Sequence, residues 1–530
     1  MIMMNTVNTV FAIIFLVLAL ANIMLEFKWN LQMLQQNSYR NERYTRWLNS
    51  SGDTTSVNRL VTLVVIFAML YLRGAMWIGI YPALIVIGMR VYKLATAKYK
   101  KPLVFTNRAK RIYGVMLAIA AIVIAVVAVV CKSLYAVAIA AMAVYVLSHA
   151  ILLAANTILR PVEAHINRRY YDDAARILRS MPDLKIIGIT GSYGKTSTKH
   201  YLNRILQEQY DVLMTPGSYN TTMGVIRTVR EYLKPYNEVF ICEMGAKQPN
   251  DIKEICDLVH PTIGIITAVG EQHLESFKTI ENVQRTKFEL VDALPSDGLA
   301  VINDDFPFAA SRGVGNVKAL RYAVNAVENA DYRATEISYD RTGTTFTIVG
   351  PDKSLTLHTR LVGECNISNL MGAVIVALYL GVPDDKIRYA VEKIEQVEHR
   401  LNLKRTPGGI TIIDDAFNSN PTGSHMAMDV LAGMEGGKRI VITPGMIELG
   451  DKQELHNRSL GKKIATSADV AIIVGEYNRD ALLGGIKDGG MTDDKVHAVA
   501  SFAEAQMVLS RIVTAGDTVL YENDLPDTFK

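Results

Sequence analysis

Residues 7–25, VNTVFAIIFLVLALANIML, run without one charged side chain. A helix needs about twenty such residues to cross the hydrocarbon core of a bilayer. No small-residue cleavage pattern follows, and further apolar segments do, so the stretch reads as an anchor rather than a signal peptide. Apolar sequence returns at 60–89, split by Arg73-Gly74, and at 112–131 and 133–158, divided by Lys132-Ser133. The expectation is a helical multi-pass membrane domain over 1–160 with five crossings, 7–25, 58–72, 74–91, 112–131 and 133–158, and the N-terminus outside. Four crossings, with 60–89 as one tilted helix, is the alternative. Apart from Arg73 and Lys132 at turns, the segment interiors read as free of ionisable groups, which argues against a transport site.

Charge gives the orientation. The chain carries 56 Lys plus Arg against 52 Asp plus Glu, a net +4. Residues 1–160 hold 16 of the basic and 3 of the acidic residues, leaving 40 against 49 for the remainder, so +13 in one part offsets −9 in the other. The loop 90–111 contains Arg90, Lys93, Lys98, Lys100, Lys101, Arg108, Lys110 and Arg111 and no acid, which places it in the cytoplasm. The basic clusters alternate with apolar segments, so a nucleic-acid tail is excluded, as are disorder and collagen. Four scattered cysteines form no CxxC pair, which excludes a disulfide scaffold. Residues 161–182 are charged and amphipathic and read as a connector, helical over about 163–179, that could lie at the membrane surface.

From Asp183 the pattern changes to α/β. LKIIGIT, GSYGKTSTK and HYLNRILQEQY are strand, glycine loop and helix, the context a phosphate loop requires. Gly191 and Gly194 allow close backbone approach, with Ser192 and Ser197 inside the same loop; Lys195 would reach the terminal phosphates and Thr196 would ligand Mg2+. Ile189 stands where the longer glycine loop has its first glycine, so this is the shorter GxxGKT variant. Strand EVFICE ends in Glu243, a carboxylate suited to the metal. Strand TIGIITAVG leads to His273, and Lys287 falls in the helical pattern NVQRTKFELVDAL. Strands alternating with helices imply a mainly parallel sheet with its site at the strands' C-terminal ends.

These residues resemble the Mur ligase family, ATP-dependent amide ligases of peptidoglycan precursor synthesis. ITGSYGKTST is similar to the family's phosphate loop, and TPGSYNTTMG, 215–224, to its substrate loop with Thr215, Ser218, Asn220 and Thr221. EMGA at 243–246, TKFEL around Lys287, GECNISNLMGA at 363–373, HRL at 399–401, IDDAFNSNP at 413–421 and GMIELG at 445–450 continue the series in order. EMGA, DDAFNSNP and GMIELG look most like the D-alanyl-D-alanine-adding branch.

The resemblance implies a central ATPase domain over 183–398 and a Rossmann-like α/β domain over 399–530. It implies ATP and Mg2+, an acyl-phosphate intermediate, and Lys195, Lys287, His273 and Arg400 as catalytic residues. Metal would be held by Thr196, Glu243, His273 and Lys287, the last carbamylated by carbon dioxide or bicarbonate. Asn366, Asn369, Asp415 and Asn418 would contact nucleotide, although helix-cap or turn roles suit Asn369 and Asn418 almost as well. The partners implied are a cell-envelope precursor or polymer with a free carboxylate, lipid-linked acceptors included, an amino acid or dipeptide amine, membrane lipids and envelope-synthesis proteins, and no nucleic acid. A poly-gamma-glutamate-type ligase or a non-catalytic nucleotide-binding scaffold is the alternative.

The departures from the family are equally specific. A membrane domain replaces the soluble acceptor-binding module. Cys365 stands where His is common, Gly445 where the branch has Asp, Thr221 where the loop has Asn, and ENDLPD, 522–527, where a KGS-type segment is usual.

Overall fold

An apolar stripe with a four-residue step runs down the first helix, Ile2–Gln36: Phe15, Ala19, Ile23, Phe27 and Leu31 are buried. Residues three and four apart share a helix face. This computed structural model describes residues 2–71, 76–97, 99, 101–325, 330–340, 343–417 and 419–525. The chain up to Arg168 forms one compact unit and Arg169–Leu525 another.

In the first unit the apolar helices Val57–Tyr71, Met76–Thr96, Asn107–Cys131, Leu134–Val146 and Ser148–Arg179 follow. Ile112, Met116, Ala120, Leu152 and Ala155 join the core. Ile122, Val126, Val129 and Val130 stay exposed on Asn107–Cys131. Such an apolar face is unfavourable in water and matched to lipid.

Two described helices, Ile13–Gln36 and Asn107–Cys131, are long and apolar enough to cross a membrane; a third span results if one bent pair counts as a crossing. Fifteen residues in Val57–Tyr71 reach about 22 Å at 1.5 Å per residue, short of a core about 30 Å thick. The turn expected at Arg73-Gly74 lies outside the described residues. The expected crossing 133–158 is not one helix: Leu134–Val146 and Ser148–Arg179 meet at a 70° bend. The expected connector 161–182 is not a separate element either, because Ser148–Arg179 continues through Pro161.

The bend is compensated from another helix. Arg59 Nη1 donates to the carbonyls of Tyr145, 2.9 Å, and Val146, 3.0 Å, the last two of the shorter helix. Carbonyls that the broken helix leaves unpaired in an apolar interior are thereby satisfied. Arg59 also pairs with Glu26 at 3.2 Å, Arg90 pairs with the same carboxylate, and His149 Nε2 lies 3.0 Å from Asp53. Glu26, Arg59, Arg90 and His149 are all buried. The expectation of interiors free of ionisable groups is therefore corrected. These charges sit near segment ends in sequence, and the fold turns them inward, where they compensate one another.

The second unit has two sheets. The larger contains β1 (Lys185–Thr190), β2 (Val212–Met214), β3 (Val239–Glu243), β4 (Ile263–Ile266), β5 (Leu299–Asn303), β6 (Lys318–Ala323), β7 (Tyr332–Asp340), β8 (Gly343–Val349) and β9 (Ser354–Thr359). Their order is β2-β3-β1-β4-β5-β6-β7-β8-β9. Pairing is parallel through β7, and β7-β8-β9 is an antiparallel extension. β1 lies between β3 and β4, so the chain reverses its direction of travel across the sheet there. Ligands bind in the crevice at such a switch point, beyond the strands' C-terminal ends. The smaller sheet contains β10 (Asn402–Arg405), β11 (Thr411–Asp415), β12 (Arg439–Thr443), β13 (Val470–Val474), β14 (Val496–Val499) and β15 (Thr518–Glu522), in the order β10-β11-β15-β12-β13-β14. Only β10 runs antiparallel to its neighbour.

Candidate active site

The phosphate loop joins β1 to the helix Lys195–Leu206. Gly194 has φ +81°, and a Cβ there would fall 2.2 Å from Asn369 Oδ1, so the position admits no side chain. Lys195 folds back on its own loop, donating to the carbonyls of Gly191, 2.6 Å, and Ser192, 3.3 Å. Burial, reinforced by the Arg400 charge and opposed by Glu243, pushes its ammonium down to about 8. Ser192 is held within the loop. Its hydroxyl donates to Gly270 O at 2.9 Å and its N–H to Ala268 O at 2.8 Å, so both tie the loop to the segment after β4.

Glu243, at the end of β3, gathers four side chains. Its Oε1 accepts from Thr196 Oγ1 at 3.2 Å and from Asn220 Nδ2 at 3.0 Å; its Oε2 lies 3.0 Å from Lys199 Nζ. Its own N–H donates to Thr215 Oγ1 at 3.1 Å. Lys199 also donates to Gly217 O at 2.6 Å. Burial would raise the Glu243 carboxyl, but Lys199 and Lys195 hold it below the ordinary carboxylate range. Lys199 was missed in the sequence. The only signal was its position one helical turn after Lys195, on the same face.

Among the described residues no group of three or more His, Cys, Asp or Glu could hold a metal. Mg2+ is normally bound by one or two carboxylates together with substrate phosphates, and the adjacent Thr196 hydroxyl and Glu243 carboxylate fit that mode. His273 and Lys287 do not join this cluster. His273 takes φ +53° and hydrogen-bonds through Nδ1 to Glu448 of the C-terminal domain. Burial, with Lys247 and Lys287 acting the same way against Glu448, lowers its imidazole. Lys287, buried on the helix Ile280–Asp292, has no carboxylate within ion-pair distance among the described residues. Burial and then Lys195 push its amine well down.

A cavity of about 290 Å³ lies on the other side of the loop. Tyr193, Gly194, Ser197, Asp305, Phe306, Asn366 and Asn369 line it from the central domain, and Arg400, Asp415, Asn420 and Thr422 from the other. Tyr193 and Thr422 bridge the two at 3.1 Å. Asn366 spends its amide on Val362 O at 2.9 Å and accepts from Tyr201 Oη at 2.8 Å, while Asn369 Oδ1 accepts from Thr198 at 3.3 Å. The Arg400 guanidinium stacks 4.3 Å from the Phe417 ring. Burial, opposed by Arg400, raises the Asp415 carboxyl to about 6. Glu522, in the segment that departs from the family pattern, is buried against it and pushed well up by burial and Asp415. Asn418 lies outside the described residues. In the acceptor loop Ser218 is exposed, and the Thr221 hydroxyl caps the helix Thr222–Glu231, accepting from Gly224 N at 3.3 Å.

Residues 189–377 match the Mur ligase middle domain, and residues 399–521 match the Mur ligase glutamate ligase domain. The chain is 29% identical over 344 residues to the UDP-N-acetylmuramoyl-tripeptide–D-alanyl-D-alanine ligase of Bacillus subtilis, covering 64% of this chain and 72% of that protein. It is 29% identical over 314 residues to the enzyme of the same name from Escherichia coli, covering 59% and 69%. The crystal structure of MurF from Acinetobacter baumannii superposes with a TM-score of 0.61 at 26% identity, over 67% of this chain and 77% of that one.

Proposed function

The chain belongs to the Mur ligase family, and on that premise we propose that it joins D-alanyl-D-alanine to the terminal carboxylate of a peptidoglycan precursor held at the membrane. It is an ATP-dependent carboxylate–amine ligase of peptidoglycan precursor synthesis, set in a multi-pass inner-membrane protein with cytoplasmic catalytic domains. The acceptor is a peptide related to UDP-N-acetylmuramoyl-tripeptide, the acceptor in the relatives' names, with lipid-linked forms favoured by the membrane unit.

One observation carries the reading. A single oxygen of Glu243 accepts from Thr196 of the phosphate loop and from Asn220 of the acceptor loop. The terminal phosphate of ATP and the acceptor carboxylate are thereby brought to one strand end, where in-line transfer needs positioning and charge neutralisation more than a protein nucleophile. Lys195 turns from its loop carbonyls toward the transferring phosphoryl group, and Arg400 approaches from the other domain. Thr196 and Glu243 are the residues that would hold Mg2+, which would supply charge neutralisation at the phosphates.

Lys287 is proposed to be carbamylated. Burial and the Lys195 charge push its amine down, which favours the unprotonated form that adds carbon dioxide; a nitrogen–carbon bond forms, one proton leaves, and the product is an anionic carbamate. The adenosine occupies the cavity near Asn366, Asn369 and Asp415, with Asn418 assigned there by motif.

The proposed orientation puts the basic loop after Met76–Thr96 and the catalytic domains in the cytoplasm; reporters fused in the loop 97–106 and after Lys530 should both read cytoplasmic. The function is tested by ADP release from membranes given Mg2+, bicarbonate, D-alanyl-D-alanine and a panel of UDP-linked, lipid-linked and polyglutamate acceptors, with product mass detection. Lys195→Ala should abolish turnover.

A further inference from the structure

The loop Pro444–Leu449 sends one carboxylate, Glu448, to two central-domain side chains. Its Oε2 meets His273 Nδ1, and its Oε1 lies 3.3 Å from Lys247 Nζ. Lys247 follows EMGA directly and is half-exposed, so the Glu448–Lys247 pair stands open at the domain junction. Neither residue lines the nucleotide-side cavity.

The loop is held in an uncommon conformation. Glu448 has φ +63°, a left-handed backbone rare for a residue with a Cβ, and Gly445 has φ +77°. Buried amides keep it there. Asn457 Oδ1 accepts from Met446 N at 2.8 Å, and Asn457 Nδ2 donates to Met446 O at 3.1 Å. Asn478 Nδ2 donates to the carbonyls of Pro444 and Met446, each at 2.9 Å, and Gln453 Oε1 accepts from Leu449 N at 3.2 Å. A part-exposed ion pair contributes little to stability, less than a left-handed non-glycine residue costs. The His273 contact, with Glu275 N donating to Glu448 O at 3.2 Å, latches the domains; the half-exposed Lys247 pair adds little to that latch and is the part a ligand can reach.

Resting on the ligase reading above, we propose that Glu448 and Lys247 form the seat of a zwitterionic amine donor, Glu448 receiving its ammonium group and Lys247 its carboxylate. The pair carries one charge of each sign and is net neutral, matching an amino acid or dipeptide. Unliganded, the two satisfy each other; a zwitterion enters between them and replaces one ion pair by two. On the central-domain side Glu448 touches His273, and Lys247 follows the turn after β3, four residues beyond Glu243.

The test uses the full-length protein in detergent with ATP, Mg2+, bicarbonate and UDP-N-acetylmuramoyl-tripeptide as acceptor. Two amines are compared: D-alanyl-D-alanine, a zwitterion, and hydroxylamine, uncharged at neutral pH, which captures the acyl phosphate as a hydroxamate. In Glu448→Gln and in Lys247→Met the ratio of KM for D-alanyl-D-alanine to KM for hydroxylamine rises about ten-fold or more. Equal changes in both KM values mean a latch and overturn the seat. In the double variant Lys247→Glu with Glu448→Lys the ion pair returns with reversed polarity, and the ratio stays high; a return to the wild-type ratio overturns the proposal. A wild-type protein that forms neither amide nor hydroxamate removes the ligase reading, and the seat with it. A wild-type protein that forms both, with variants that keep its ratio, removes the seat alone.

Discussion

Lys199 Nζ lies 3.0 Å from Glu243 Oε2, and both side chains are buried. The same ammonium donates to Gly217 O, so one lysine joins the phosphate-loop helix, the metal-side carboxylate and the acceptor loop. Removing one partner of a buried pair leaves an uncompensated charge, at a cost of about 3–5 kcal/mol.

Lys199→Met should therefore lower stability by about that amount near neutral pH, read by thermal unfolding of the detergent-solubilised protein. The sign follows from Glu243, whose folded-state value is held below the ordinary one. Its contribution is present above the unfolded value and is lost as pH falls through the folded one. The gap between wild type and variant should narrow in acid. A gap constant across the acid range would contradict the pairing.

Lys195→Met should stabilise the ligand-free protein while abolishing turnover. The folded-state ammonium titrates at about 8 against an ordinary 10.5. Below pH 8 the buried charge costs its full amount, about 3 kcal/mol, and between 8 and 10.5 the unfolded chain binds the extra proton, so wild-type stability recovers as pH rises. Unfolding midpoints of the two proteins at pH 7 and pH 10 should converge at the higher value.

In the membrane unit, Arg59→Ala strips two helix-end carbonyls and one oxygen of the Glu26 carboxylate of their donor, leaving Arg90 on the other oxygen. A loss of about 3–5 kcal/mol is expected, measured as the unfolding temperature in detergent. Arg59→Lys should recover little of it, because an ammonium lacks the planar fork that reaches the carbonyls, Ser148 and Glu26 together.

Gly445→Ala should misplace Glu448. A Cβ at that left-handed position would meet Asn457 Oδ1 at 2.4 Å. Steady-state kinetics should show a higher KM for the amine donor with the KM for ATP little changed, since the cavity on the nucleotide side does not include this loop. A rise confined to the ATP KM would contradict the assignment.

The parallel strands were legible because each is a short, fully apolar run ending in a chemical residue, as β1 ends at the phosphate loop and β3 at Glu243. The antiparallel strands β7 to β9 escaped notice: TEISYD and GTTFTIV mix polar and apolar positions and carry no motif. The break at Leu147 was also unreadable, since only Ser148 and His149 interrupt the apolar run around it and Arg59, which takes up the helix-end carbonyls, is 88 positions away. Motif spacing located His273 and Glu243, and the family resemblance implied that they share a metal; the fold adds the pairing of His273 with Glu448 and of Glu243 with Lys199. Those partners depend on how two domains meet and how a helix face is buried, neither of which a spacing encodes.

The most direct test of the ligase mechanism follows oxygen. Acceptor labelled with 18O in its terminal carboxylate is incubated with the full-length protein, ATP, Mg2+ and D-alanyl-D-alanine, and the released phosphate is weighed by mass spectrometry. An acyl-phosphate route transfers a carboxylate oxygen to phosphate, so labelled phosphate should appear in step with amide product. Unlabelled phosphate accompanying product, or ADP release with no amide formed, would contradict the account.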